Sequence, residues 1–393
     1  MSIDNRKAVD MIKNQSARII VLGSGRIGGV IVQDLAQESG FQVTAVDFDS
    51  RILDQLKGKA PVRVIQADLG ESGRVIELIQ EYDLVVNAVP GFLGFQTLKQ
   101  VIGAGKNVVD IAFFPEDAFQ LDDLAKSKHV TAVVDCGVAP GMSNLILGYY
   151  NHAMEIESFE CMVGGLPVKR SWPYEYKAPF SPVDVLEEYT RPARLVKNGV
   201  VVTQPALSEP ELVELEPVGT LEAFNSDGLR SLIKTMKISD MKEKTLRYPG
   251  HANLIAILRE TGFLNQDPVD LGGQRIRPVD LTAKLIFPLW KLEEDEEEFT
   301  IMRIVMIGKQ QGKAKKVVCH LFDRYDPATG FSSMARTTGF ACTAVVHLLL
   351  HGEFSRSGII PPEYVGAESG CFDRIMAYQE SRRVVYRTEE TEI

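Results

Sequence analysis

The first third of the chain alternates short apolar runs with stretches that have helical spacing. Two of these stretches, residues 71–82 and 116–126, carry apolar side chains at helical intervals. Apolar strands that alternate with helices are typical of a parallel sheet covered on both faces. The pattern predicts an α/β fold with six parallel strands, the number found in the doubly wound dinucleotide-binding (Rossmann) fold. The six predicted strands are residues 18–22, 42–46, 62–66, 84–88, 107–109 and 131–134.

From residue 157 onward the pattern favours antiparallel strands. Residues 194–196 and 200–202 flank Lys197-Asn198-Gly199, and Asn-Gly is the sequence signal of a type I′ hairpin. The second domain is predicted to be α+β with a mostly antiparallel sheet, one face of which a second subunit could cover. Three later strands are predicted to form a meander, with the acidic run 293–298 as a solvated hairpin tip between the first two. The meander strands are residues 284–292, 299–307 and 317–325.

The end of the chain returns to helix. Arg336-Thr337-Thr338-Gly339 is predicted to begin a strongly apolar helix that continues to about Leu350. Because this helix is so apolar, we expect it to be buried against the first domain. The predicted organisation is a dinucleotide-binding domain over residues 1–140, a substrate-binding and dimerisation domain over 141–335, and a C-terminal helical segment over 336–393 that packs back on the first domain.

A glycine-rich turn follows the first predicted strand. Its first glycine permits a tight turn, its second lets a backbone approach a pyrophosphate, and its third lets the helix pack close to the sheet. The free N–H groups at the start of that helix then face the phosphates. The alternative is a glycine turn that binds no ligand. The motif is Gly23-Ser24-Gly25-Arg26-Ile27-Gly28.

Asp47 ends the second predicted strand, 19 residues after Gly28, where a ribose-binding carboxylate is expected. A carboxylate there accepts hydrogen bonds from ribose and repels a 2′-phosphate, which favours NAD over NADP. Arg51 keeps NADP possible, because an arginine there could reach a 2′-phosphate. Asp68, Asp110 and Asp135 follow other strands and have a second interpretation as caps of the next segment. The further predicted cofactor-binding residues are Asp68, Ala88, Val89, Pro90, Asp110, Asp135 and Gly137.

Composition excludes several classes of protein. A chain of 393 residues with 45% hydrophobic and 24% charged residues predicts two or three globular domains. A net charge of −10 disfavours nucleic acid as a partner, and no apolar run is long enough for a membrane span. Five scattered cysteines without a Cys-x-x-Cys pair, and an N-terminus that lacks a secretion signal, predict a cytoplasmic protein. His347 and His351, four residues apart without an acidic motif, are not predicted to bind a metal.

Several segments of the chain, taken together and in order, resemble the saccharopine dehydrogenase family, most closely its lysine 6-dehydrogenase branch. The resemblance implies a Rossmann domain, a second domain with the substrate site and the dimer contact, and NAD(P)-linked oxidation of a C–N bond. The segments are Gly23–Gly28, 135–144, 164–167, 174–177, 188–193, 221–224, 227–229, 246–251 and 336–339.

Three activities are compatible with this resemblance. The first is NAD-dependent deamination of the L-lysine ε-amine to 2-aminoadipate 6-semialdehyde, which cyclises to piperideine-6-carboxylate. The second is a saccharopine or carboxynorspermidine type reductase that uses NADPH and needs additional Arg or Lys for a second carboxylate. The third is nucleotide binding without catalysis. The predicted partners are a small amino-acid substrate and a second copy in a homodimer or higher homo-oligomer.

Amine oxidation requires a neutral amine, so a lysine substrate near pKa 10.4 needs a base or a desolvated site. We predict His251 as the base, with Lys177 and Tyr176 as further acid–base candidates. The alternatives are a packed histidine at the start of a helix and two residues of a surface loop. Cys136 is interpreted as a packing or cofactor-contact residue, because the chemistry needs no thiol.

A substrate α-carboxylate favours an arginine, which can bind it with two parallel hydrogen bonds. Arg247 is the first candidate for this role, and its alternative is an exposed strand arginine. Thr337 and Thr338 either cap the last helix or bind substrate at its N-terminus. The predicted substrate-binding residues are Arg247, Tyr248, Arg191, Thr337 and Thr338.

Overall fold

The computed structural model describes residues 16–293 and 296–393. The described chain forms two compact units. The first unit runs up to His152 and includes Ala335–Val384, and the second contains Ala153–Met334 and Val385–Ile393. Within the described residues, no helix is both long and apolar enough to cross a bilayer.

The strands are β1 (Ala17–Leu22), β2 (Phe41–Asp47), β3 (Arg63–Gln66), β4 (Leu84–Asn87), β5 (Asn107–Asp110), β6 (Thr131–Val133), β7 (Glu155–Pro167), β8 (Ala193–Lys197), β9 (Val200–Gln204), β10 (Glu211–Leu215), β11 (Gly219–Asn225), β12 (Asp240–Arg247), β13 (Val269–Leu271), β14 (Gln274–Ile276), β15 (Glu298–Gln310), β16 (Lys313–Arg324), β17 (Gly358–Ile360) and β18 (Tyr386–Glu392). The helices are α1 (Arg26–Leu35), α2 (Ser50–Lys59), α3 (Arg74–Ile79), α4 (Gly91–Gly103), α5 (Asp122–Ser127), α6 (Met142–Ala153), α7 (Pro182–Thr190), α8 (Leu232–Thr235), α9 (His251–Glu260), α10 (Pro278–Trp290), α11 (Ser333–Leu350), α12 (Pro362–Gly366) and α13 (Cys371–Ser381), with a short 3₁₀ helix at Ala118–Leu121.

The first unit is built on a parallel sheet of seven strands in the order β17-β6-β5-β4-β1-β2-β3. The six predicted strands are confirmed, each to within one residue at either end. In β1, Ile19, Ile20, Val21 and Leu22 have no exposed surface, because helices cover both faces of the sheet. The chain order reverses beside β1, which pairs with β4 on one side and β2 on the other. Ligands of such sheets bind at the carboxyl ends of the strands at this reversal.

The C-terminal helix α11 packs against α1. The Asp34 carboxylate of α1 accepts hydrogen bonds from Thr343 Oγ1 at 2.6 Å, Tyr378 Oη at 2.8 Å and Arg382 Nε at 2.7 Å. Gly339 lies against Val30 and Ile31, where a Cβ would be in van der Waals contact. These contacts, together with β17, make the late segment part of the first unit.

The second unit is built on a mixed sheet of nine strands. Its main path is β10-β11-β12-β7-β15-β16-β18, and β8 pairs with β12 and with β9. Among the described strands of this sheet, only β7 and β12 pair in parallel, so the expected mostly antiparallel sheet is confirmed. The hairpin between β8 and β9 turns at Asn198 and Gly199 with φ of 51° and 75°, as a type I′ turn requires.

The predicted strand at residues 284–292 is wrong, because most of it lies in helix α10. One side of α10 is buried through Val279, Thr282, Ile286 and Trp290, and the other side is also apolar. A helix that is apolar on two sides has a nearly continuous apolar sequence, which resembles a buried strand. The acidic run therefore connects a helix to β15 instead of forming a hairpin tip, and its residues 294–295 lie outside the described residues.

Three boundaries differ from those expected from the sequence. The first unit extends beyond residue 140 to His152, because α6 belongs to it. Helix α11 begins at Ser333, before its predicted start at Arg336. Residues 385–393 belong to the second unit because β18 pairs with β16.

Candidate functional site

The glycine turn after β1 contains two glycines that the protein itself requires. Gly23 has φ of +89°, and a Cβ there would lie 2.5 Å from the carbonyl oxygen of Ala88. A Cβ at Gly28 would collide with the carbonyl oxygen of Gly23. These two glycines let α1 approach β1 and the segment after β4, so packing alone accounts for them.

Gly25 is different, because packing does not account for it. A Cβ built on Gly25 meets no atom of residues 16–293 or 296–393 within 4 Å, and its φ of −63° is available to any L residue. Gly25 is the N-cap of α1, and within the described chain no side chain caps the free N–H groups there. Empty space beside these N–H groups is what a phosphate needs at a helix N-terminus. The residues present therefore fit a dinucleotide pyrophosphate.

Asp47 joins the glycine turn to the end of β2. Its Oδ2 accepts a hydrogen bond from the Ser24 backbone N–H at 2.8 Å, and its Oδ1 accepts one from the Asp49 N–H at 3.0 Å. Asp49 caps α2 and pairs with the exposed Arg51 at 2.6 Å. The Asp47 carboxylate is thus fixed in position at the carboxyl edge of the sheet, where a ribose is expected.

Other residues predicted to bind cofactor have structural roles. Asp68 is exposed and accepts from the Gly70 N–H at 2.8 Å; it is not a helix cap, because α3 begins only at Arg74. Asp110 has no exposed surface and joins β5 to β4, since its Oδ2 accepts from Asn87 Nδ2 at 2.6 Å. Its Oδ1 accepts from the Ala112 N–H at 2.7 Å, so it also caps the segment that follows.

The remaining predicted cofactor residues lie along the same edge of the sheet. Ala88 and Val89 follow β4, and Pro90 is the N-cap of α4. Asp135 is buried with φ of +52°, a left-handed conformation that is uncommon outside glycine. In the glycine turn, Arg26 is exposed and Ile27 is half-buried.

The two threonines of α11 do not lie at the N-terminus of that helix. Thr337 and Thr338 come in its second turn, so they do not cap the helix, and substrate binding by them stays a prediction. Thr337 has no exposed surface, and Thr338 Cγ2 would lie 3.3 Å from a Cβ on Gly137. Their positions favour packing within the first unit.

In the second unit, three elements bring a polar cluster into the apolar core. Arg247 ends β12, His251 begins α9, and Glu188 and Tyr189 lie on α7. Arg247 Nε donates to Tyr189 Oη at 3.0 Å, and the Arg247 guanidinium donates to Glu188 Oε2 at 2.8 Å. Arg247 is only 2% exposed, so its interpretation as an exposed strand arginine is wrong.

His251 continues this hydrogen-bond chain. Tyr189 Oη lies 2.9 Å from His251 Nε2, and His251 Nδ1 lies 3.0 Å from the carbonyl oxygen of Tyr174. Because that carbonyl can only accept, the network assigns the proton to Nδ1 and makes Nε2 the acceptor for Tyr189. Burial and the nearby Arg247 charge lower the pKa of His251 to about 3. Both ring nitrogens are occupied and the ring stays neutral, which is unsuited to a general base near neutral pH.

Tyr176 completes the cluster and Lys177 does not join it. The Tyr176 ring lies 4.5 Å from the Arg247 guanidinium carbon, and its buried hydroxyl has no hydrogen-bond partner among the described residues. Burial raises the pKa of Tyr176 well above its ordinary value. Lys177 Nζ instead donates to the Lys291 carbonyl at 3.0 Å and lies 3.4 Å from Glu296.

Two predicted substrate-binding residues have partners elsewhere in the second unit. Tyr248 Oη donates to the carbonyl oxygen of Pro167 at 2.9 Å, and Arg170 stacks on the Tyr248 ring. Arg191 pairs with Glu187 along α7 at 3.4 Å. The structure therefore brings Tyr176, Arg247 and His251 together and leaves Tyr248 outside the hydrogen-bond chain.

The sequence interpretation missed Glu188 and Tyr189 as functional candidates. On α7, Val185 and Tyr189 are buried at a spacing of four residues, which is a signal of an inward-facing row. A buried tyrosine normally has a partner for its hydroxyl, so this row predicts a polar group nearby. The row does not identify that polar group, because Arg247 and His251 are distant from Tyr189 in the sequence.

Among the described residues, no group of three or more His, Cys, Asp or Glu side chains could hold a metal ion. Cys136 is 3% exposed, and burial together with Asp110 and Asp135 raises the pKa of its thiol. A thiol in this environment stays protonated and is a poor nucleophile.

Two family models match most of the chain. Residues 137–383 match the saccharopine dehydrogenase C-terminal domain, and residues 19–133 match the saccharopine dehydrogenase NADP binding domain. The chain belongs to the saccharopine dehydrogenase family.

Individual relatives are distant. Alpha-aminoadipic semialdehyde synthase, mitochondrial, of Mus musculus is 21% identical over 95% of this chain and 48% of its own length, so the chain spans about half of that relative. Carboxyaminopropylagmatine dehydrogenase of a Synechocystis species is 20% identical over 88% of this chain and 92% of its own length. Among solved structures, apo saccharopine dehydrogenase (L-Glu forming) from Saccharomyces cerevisiae has a TM-score of 0.77 at 17% identity, covering 95% of this chain and all of that one. This likeness shows the fold.

Proposed function

We propose that this protein is an NAD-dependent oxidoreductase that acts on the C–N bond of a lysine-related amino acid, with the L-lysine ε-amine as its substrate. The observation that carries the proposal is the open space at Gly25 beside the uncapped N-terminus of α1, with the Asp47 carboxylate fixed next to it. The C–N bond and the lysine-related substrate are supported by membership of the family and by the names of the relatives.

When bound at the Gly25 turn and Asp47, NAD would supply the hydride acceptor. Loss of a hydride from the carbon that carries the neutral ε-amine leaves an iminium ion. Water adds to that ion, and the nitrogen leaves as ammonium to give the aldehyde. We propose that the Arg247, Tyr189 and His251 chain positions side chains of the second unit and does not itself take the substrate proton, because both ring nitrogens of His251 already have partners. Lys177 remains a predicted acid–base residue.

A saccharopine-type reductase that uses NADPH is the second candidate. The matched nucleotide domain is described as NADP binding, and the Arg51 side chain is 87% exposed. Its ion pair with Asp49 is at the surface, where such pairs contribute little to stability. Arg51 would then be available to a 2′-phosphate.

Turnover with L-lysine distinguishes the two candidates. We expect purified protein to reduce NAD when L-lysine is added and to release one ammonia per reduced nicotinamide, measured by ultraviolet absorbance and an ammonia assay. The rate should rise above neutral pH, because more of the amine is then neutral. No reduction with lysine, together with NADP reduction by saccharopine, would establish the second candidate instead.

Asp47→Asn tests the cofactor preference. Asparagine keeps an acceptor for the Ser24 N–H but removes the negative charge, so we expect the ratio of NAD to NADP affinity to fall about tenfold, or about 1.4 kcal/mol. Calorimetric titration with each dinucleotide measures it. Asp54→Asn, on the exposed side of α2, is the matched control and should leave the ratio unchanged. An unchanged ratio in Asp47→Asn would mean that Asp47 does not face the ribose.

A further inference from the structure

Phe48 presents an exposed aromatic ring at the carboxyl edge of the sheet in the first unit. It follows Asp47, the last residue of β2, and its side chain is 74% exposed. Within the described residues of the first unit, no other large apolar side chain is more exposed. Removing apolar surface from water is favourable, so a ring in this position favours a flat partner that would cover it.

The backbone that carries this ring is held at three consecutive residues. The carbonyl oxygen of Asp47 accepts a hydrogen bond from the Ala67 N–H at 3.0 Å, and that of Phe48 accepts one from Gln66 Nε2 at 2.9 Å. The Asp49 N–H donates to Asp47 Oδ1 at 3.0 Å, and Asp49 also caps α2. The ring is therefore exposed on a well-anchored segment of the chain.

The place of Phe48 next to Asp47 identifies the partner. In the proposed function Asp47 faces the ribose, and the base of a dinucleotide is joined to the carbon beside the 2′-hydroxyl of that ribose. Consecutive Cα atoms are only about 3.8 Å apart, so the residue after Asp47 lies within reach of the base. We propose that Phe48 binds the base of the dinucleotide by stacking on its flat face. This inference rests on the proposed cofactor site and holds for NAD and NADP alike, because both carry adenine.

The charges beside the ring suit a base better than a substrate. Carboxylates precede and follow Phe48 in the chain, at Asp47 and Asp49. A neutral base can stack between them without like-charge repulsion, whereas the carboxylate of an amino-acid substrate would be repelled. The ring therefore belongs to the cofactor half of the reaction.

The polar side chains near the ring are already held by the protein. Asp49 pairs with Arg51 at 2.6 Å, and Gln66 uses its amide on the carbonyl of Phe48. Asp68 Oδ1 accepts from the backbone of its own loop at 2.8 Å. Stacking on an aromatic ring tolerates any base, because every base has a π face. The base is therefore bound through its face and is not selected by hydrogen bonds to its edge.

Phe48→Ala tests the stacking contact. We expect it to weaken binding of the preferred dinucleotide about tenfold, as removal of a base-stacking ring does, and to leave the thermal midpoint unchanged because the ring is exposed. Phe48→Tyr keeps an aromatic ring and should bind within about twofold of the native chain. The matched control is Phe263→Ala, which removes a 50% exposed ring from the second unit and should bind as the native chain does. Calorimetric titration measures each dissociation constant.

A base analogue provides a second readout. Nicotinamide hypoxanthine dinucleotide carries a carbonyl where NAD carries the adenine amine, and we expect the native chain to bind it within about threefold of NAD. Equal binding by the native and Phe48→Ala chains, a Phe48→Tyr chain as weak as Phe48→Ala, or a loss of about tenfold or more with the analogue would each overturn the proposal while leaving the dinucleotide site in place. A native chain that bound neither NAD nor NADP would contradict the proposed function, and this proposal with it.

Discussion

Valine in place of Gly25 is expected to weaken NAD binding at least about a hundredfold while leaving the first unit as stable as before, a loss of about 2.7 kcal/mol of binding free energy. The added side chain enters space that is empty in the protein, so nothing within the fold is displaced. The same space is where the pyrophosphate must approach the N–H groups of α1. Calorimetric titration with NAD and the thermal midpoint of the first unit measure the two effects.

Two other glycine substitutions show whether the effect is specific to the ligand. Gly28→Ala should lower the thermal midpoint, because its Cβ would collide with the backbone of Gly23. Gly40→Val should change neither the NAD affinity nor the thermal midpoint. Gly40 also has open space around it, but it precedes β2 and so lies at the amino ends of the strands, away from the glycine turn. If Gly25→Val bound NAD as the native chain does, the dinucleotide would not lie at the glycine turn.

Arg247→Met is expected to destabilise the second unit by about 3 kcal/mol, because removing one partner of a buried pair leaves the other charge uncompensated. Glu188 would lose its guanidinium partner in a site where burial already raises its pKa. Tyr189 Oη would also lose the donor from Arg247 Nε. Urea unfolding followed by tryptophan fluorescence measures the change. Both tryptophans of the chain, Trp172 and Trp290, lie in the second unit, so the signal reports that unit.

An exposed ion pair of the same unit provides the matched control. Lys313 and Glu392 are 70% and 71% exposed and lie 3.1 Å apart, so Lys313→Met should cost under about 1 kcal/mol. The loss in free energy of unfolding for Arg247→Lys should lie between those of Arg247→Met and Lys313→Met. Lysine keeps the positive charge but lacks the planar set of donors of arginine. If Arg247→Met and Lys313→Met lowered the free energy of unfolding by the same small amount, the buried network would contribute little to stability.

The first unit was predictable because its physical signals are local. Strands β1, β4, β5 and β6 are mostly buried, so their apolar runs are nearly continuous. The edge strand β3 is only partly buried. The glycine turn is also local, since its three glycines and the strand before it lie within a dozen residues. Strand β17 was missed because three residues, Gly358–Ile360, carry too little pattern to be distinguished from the end of a helix.

The second unit was less predictable because its polar cluster depends on contacts between distant parts of the chain. Tyr189 meets Arg247 and His251 across 58 and 62 positions of sequence. One sequence identifies these residues as capable of chemistry but contains no distances. Helix α10 was mistaken for a strand for a related reason: its second apolar side has no partner within the described residues of the chain, so periodicity alone could not separate the covered side from the exposed one.

The sheet of the first unit has a consequence for synthesis of the chain. Strand β6 ends at Val133, and its neighbour β17 begins only at Gly358. At about 5–20 residues per second, a ribosome needs roughly 11–45 s to make the intervening chain. During that time β6 can pair with β5 on one side only, and its unpaired outer edge is a hazard for misassembly. The unit that is begun first is therefore completed only after most of the second unit has been made.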